Sequence, residues 1–118
     1  MRTFLKLFFL IIFINTSFVA YAQETWEEYI LEARIAHTAG NENQAIKMYK
    51  NALQLAPNNR EKVRLHSILA GLYRFSREFQ QNINHLESGV ELMNKTGEGK
   101  EFADDLYMHL CGLVMGGA

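Results

Sequence analysis

The chain carries one cysteine and one proline in 118 residues, and each scarcity has a consequence. Cys111 has no partner for an internal disulfide, so the fold must be held by packing or by association. With Pro57 as the only proline, long stretches are free to run as helix. The longest unbroken apolar run, Leu7 to Ile14, is far short of the ~18 residues a membrane-crossing helix needs. There is no useful stretch of strand-like alternation and no run of basic residues. Lacking a basic cluster, the chain is a poor candidate for nucleic-acid binding, which depends on Lys and Arg set against phosphate. No convergent set of nucleophile, base and orienting group is found, so no catalytic, cofactor-binding or metal-ligating residue is assigned and no enzyme activity is expected.

What is present begins with an export signal. Arg2 and Lys6 form a basic start, the run to Ile14 supplies an apolar stretch, and Ala20-Tyr21-Ala22 before Gln23 matches a cleavage signature. The expectation is a signal peptide over residues 1–22 and a periplasmic or secreted domain over residues 23–118. The alternative is an uncleaved anchor, because Phe18 and Val19 extend the apolar character. No cysteine follows the cleavage point, so lipid attachment there is excluded. Residues 23–118 carry ten Lys and Arg against thirteen Asp and Glu, a mildly acidic balance.

Five helices are predicted in this stretch, an all-α fold. Thr25 with Glu28 three residues on reads as a capping box, opening a helix that runs to about Thr38 and ends at Gly40. Asn41 caps a second helix over about Glu42–Leu55, and Pro57 stops it. Asn58 and Asn59 lead into a third, about Arg60–Phe75, apolar on more than one face as a helix between neighbours should be. Ser76 is expected to cap a fourth, carrying Phe79, Ile83, Leu86, Val90 and Met93 at helical spacing. After the Thr96-Gly97-Glu98-Gly99 break, a fifth runs from about Lys100 to Met115.

The most specific signal is in the second helix, where Ala45, Tyr49, Ala52 and Pro57 follow the spacing A-x3-Y-x2-A-x4-P. Two small residues two turns apart, with bulk between them, make a strip on which another helix can dock closely. Sliding the chain along itself by 37 residues lays Ala33 on Ala70, Tyr49 on Leu86, Ala52 on Gly89 and Leu55 on Leu92. A further slide of 41 lays Leu69-Ala70-Gly71-Leu72 on Leu110-Cys111-Gly112-Leu113. These spacings resemble the tetratricopeptide repeat family, whose unit is a 34-residue helix pair. Repeat 1 covers about residues 26–59, repeat 2 about 63–96, and the first helix of a third about 100–115. The match is uneven: the second repeat lacks the turn glycine and the terminal proline, and Asn82 replaces its first alanine. An ordinary five-helix bundle is the competing architecture.

The resemblance implies a right-handed superhelix with a concave groove that receives a peptide or a partner helix. Carried over position by position, that groove presents Glu27, Ile30, Arg34 and His37, then Arg64, Ser67, Arg74 and Phe75, then Asp105 and Met108. Arg34, Arg64 and Arg74 would suit an acidic or C-terminal peptide, although three solvated arginines are the plainer reading. The family's carboxylate clamp is not expected, because its positions carry Ile30 and Arg34. A repeat stack normally ends in a helix with a polar outer face, yet Leu106, Leu110, Leu113, Val114 and Met115 leave the last helix uncovered. That strip reads either as an interface for self-association or a partner, or as the mark of a truncated repeat array.

The expected function is a non-catalytic protein-interaction module outside the cytoplasm, with no cofactor, no nucleic acid and, after signal cleavage, no membrane contact. The alternative is the extracytoplasmic sensory part, or a remnant, of a larger signalling protein. His66 and His85 lie in consecutive helices but lack a third ligand at zinc-site spacing. Cys111 sits at a small-residue position and reads as a buried inert thiol. Asn94-Lys95-Thr96 is a glycosylation sequon, meaningful only in a eukaryotic secretory pathway.

Overall fold

The computed structural model describes residues 25–116, with side chains through Leu110. The expected signal peptide, the side chain of Cys111, and Leu113, Val114 and Met115 of the uncovered strip lie outside what is described. Among the described residues the chain is all-α: α1 (Trp26–Thr38), α2 (Glu42–Leu55), α3 (Asn59–Phe75), α4 (Phe79–Thr96), a 3-10 turn (Lys100–Phe102) and α5 (Ala103–Gly116).

The local chemistry sets these bounds. Thr25 accepts from the Glu28 backbone N–H while its own N–H donates to the Glu28 carboxylate, both halves of a capping box. Asn41 caps α2 through Gln44, and Asn58 caps α3 through Glu61. The expected role of Ser76 is corrected. It closes α3, its hydroxyl donating to the Tyr73 carbonyl, and α4 starts after Glu78 with no side-chain cap.

The turn after α1 and the turn after α3 are built alike. Ala39, Gly40 and Asn41 donate their backbone N–H groups to the carbonyls of Ile35, His37 and Ala36; Ser76, Arg77 and Glu78 donate to Leu72, Arg74 and Tyr73. Every donor and acceptor is displaced by 37 residues. Both turns pass through the left-handed region, at Gly40 with φ 80° and at Arg77 with φ 64°. Arg77 takes the position that glycine fills in the first turn.

These turns are too short to do anything but reverse the chain, so helices adjacent in sequence pack side by side. The tightest pairings are α1 with α2 and α3 with α4; α2 packs on α3, and α5 lies on α4 and α3. Ala33, Ala45 and Ala52 are fully buried and Tyr49 nearly so, within a core that also holds Ile30, Ile46, Met48, Leu65, Leu69, Leu72 and Tyr73. The small residues let the backbones approach and the large ones fill the space between them. A second core gathers Val63 and Ala70 of α3 with Leu86, Met93 and Leu106. Helix α3 therefore serves both cores, which is why its sequence is apolar on two faces. Between α4 and α5, Gly99 has φ 77°, and a Cβ there would fall 2.7 Å from Cβ of Val63. That turn is seated directly on α3.

Candidate functional site

An open groove of about 590 Å³ crosses the faces of α1, α3 and α5. Its floor and walls are Ile68, Gly71 and Leu72 of α3 and Tyr49 of α2. His37 enters from the last turn of α1, Ser67 and Phe75 from α3, and Asp105 and His109 from α5. Glu42, the first residue of α2, completes the rim. Phe75 is 80% exposed, an aromatic ring left in water beside the floor.

Of the ten residues the sequence assigned to a groove, His37, Ser67, Phe75 and Asp105 line this one. Ile30 does not, because it is buried between α1 and the core. The three arginines do not converge on it either. Arg64 pairs with Glu61 at 3.1 Å, and Arg34 lines a separate shallow recess with Ile35, Thr38 and Ala39. Arg74 stands near His109 without lining the groove. Glu27 is exposed in the first turn of α1, and Met108 is 62% exposed on α5. The charged side chains that line the groove are thus the carboxylates Glu42 and Asp105. Sequence reasoning missed Tyr49, Glu42 and His109; Tyr49 read only as bulk in a docking strip, although it also lines this groove.

His109 packs its ring over Gly71, at 3.3 Å from where a Cβ would stand. Its Nδ1 is buried and has no hydrogen-bond partner. Burial, with Arg74 adding to it and Asp105 opposing, holds its pKa below the ordinary histidine value. At neutral pH this imidazole is uncharged, so it leaves the acidic character of the groove unaltered.

Away from the groove, His66 and His85 meet across α3 and α4 with their Nδ1 atoms 3.0 Å apart. The His85 ring stacks on Tyr73, centroids 5.4 Å apart and planes within 9°. Burial, then His85, then Lys62 push the pKa of His66 down to about 4; burial and Lys50 lower that of His85. Two neutral imidazoles at this distance share one N–H, the donor on one ring and the acceptor on the other. Among the described residues no third His, Cys, Asp or Glu joins them as a metal ligand. Their role is to tie α3 to α4.

At the far end of the stack, Leu106 is fully buried in the second core, which corrects its assignment to an open strip. It faces inward onto α3 and α4, where the close-packed Gly89 leaves it room. Leu110 does remain 41% exposed and lines a narrow apolar recess with Leu86, Val90, Glu87 and Glu91. No described helix is long and apolar enough to cross a membrane. No protein-family model, curated protein or solved structure matches this chain.

Proposed function

We propose that this chain is a non-catalytic protein-interaction module of tetratricopeptide type, which receives a peptide or a partner helix in the groove across α1, α3 and α5. The observation that carries this reading is the groove itself, an apolar floor laid across three helices with Phe75 exposed at its side. The turns built alike 37 residues apart support a repeat architecture. A signal peptide over residues 1–22 would place the module in the periplasm or outside the cell.

The groove's carboxylates, with its apolar floor, select for an apolar or aromatic side chain next to a basic one rather than for an acidic tail. Phe75 offers a ring face to such a cation, while Glu42 and Asp105 offer charge. A display library of 12-residue peptides panned on the purified chain should enrich that pairing. Phe75→Ala should lose the enriched peptides while shifting stability by no more than about 0.5 kcal/mol, since the ring is mostly in water already. Peptides that bind equally well to Phe75→Ala and to Asp105→Asn would sink the groove reading.

A further inference from the structure

The two ends of the helix stack carry surfaces that match one another. On α1, Leu31 and Ile35 are 59% and 61% exposed, one turn apart, with Arg34 between them in sequence. Among the described residues Arg34 is in no ion pair, and it borders a shallow recess of about 360 Å³ beside Ile35. On the opposite end, Leu86, Val90 and Leu110 line an apolar recess of about 250 Å³ between α4 and α5. Glu87 and Glu91, one turn apart on α4, stand at its edge, and neither is ion-paired among the described residues.

Helix α1 packs on α2, while α5 packs on α3 and α4, and the α1 recess beside Ile35 shares no lining residue with the α4–α5 recess. We propose that copies of this chain associate head to tail, the Leu31–Ile35 stripe of one copy entering the α4–α5 recess of the next. Arg34 then reaches the two carboxylates, a guanidinium fork set between paired acceptors. The apolar stripe meets an apolar recess and the single cation meets the two anions, so burial and charge select the same register. Because the two contacting surfaces differ, the contact is heterologous and does not close on a twofold axis; each added copy presents a fresh end. The contact is one helix wide, so association is weak and rises with concentration. This assembly is independent of what the groove holds.

Sedimentation velocity on the full chain over a hundredfold concentration series reads it out. The expected result is a weight-average mass that climbs past two copies without a plateau. Leu31→Glu and Leu110→Glu should each give a monomer, while an equimolar mixture of the two should give a one-to-one dimer and nothing larger, since each variant keeps one intact end. Both positions are exposed, and circular dichroism checks that both variants remain helical. Arg34→Glu should also give a monomer, and adding Glu87→Arg and Glu91→Arg to it should restore growth. A chain that stays monomeric throughout, a dimer that stops at two, or variants that fold and still associate would each overturn the proposal.

Discussion

Arg77 holds a backbone conformation that suits a different residue. Its φ of 64° is left-handed, where an L side chain crowds its own backbone, and it stands 37 residues after Gly40 in a turn with the same hydrogen bonds. Its side chain is exposed, so little packing is lost on removing it. Arg77→Gly is therefore expected to stabilise the chain by about 1 kcal/mol, read as a higher urea midpoint with an unchanged slope. The histidine pair gives a pH dependence of defined sign. Above the ordinary value of 6.5 both the folded and unfolded chains carry neutral rings, and the pair costs nothing. Below it the unfolded chain takes up protons that the folded rings resist, His66 until about 4, so stability falls as the pH drops through that window. Urea unfolding at pH 7 and at pH 5 should show the loss, and His66→Gln, which keeps a hydrogen-bonding group but does not titrate, should lessen it, His85 and His109 keeping their share.

At the scale of elements, the helices were legible because their ends are marked by side chains acting within a few residues. The Thr25–Glu28 box, Asn41, Asn58, Gly40 and Pro57 bound α1, α2 and the start of α3 where the sequence places them. The start of α4 was not legible, because nothing caps it by a side chain and Ser76 turned back to the Tyr73 carbonyl instead. Asn82 read as a departure from the repeat; in the fold it is fully buried and its amide donates to the Ala70 carbonyl, a contact between helices that no local pattern reveals. Gly99 is the same kind of case. The sequence shows a chain break, while the structure shows backbone seated against Val63 at positive φ. Gly99→Ala must displace a β-branched side chain that is itself in the core, and it is expected to cost about 3 kcal/mol by chemical denaturation.

Over the whole molecule, the all-α class followed from periodicity, whereas the groove followed only in part. His37, Ser67, Phe75 and Asp105 were among the groove positions the sequence named, while the other six of the ten do not line it. The electrostatics were not legible, since whether an arginine is free or committed depends on a neighbour such as Glu61, which the spacing of the repeat does not weigh. Arg34 and Arg64 stand away from the groove, as the plainer reading of solvated arginines allows, and the charged groups that line it are Glu42 and Asp105.

Helix α3 contributes Leu65, Leu69, Leu72 and Tyr73 to one core and Val63 and Ala70 to the other. Neither core can form until that helix is in place. The order in which the chain opens follows from this. Helix α1, resting chiefly on α2, is free to swing away first and leave the second core whole, so its amides should exchange with solvent soonest. Those of α3 should wait for the global event, making the middle of the sequence the last part to surrender its protons.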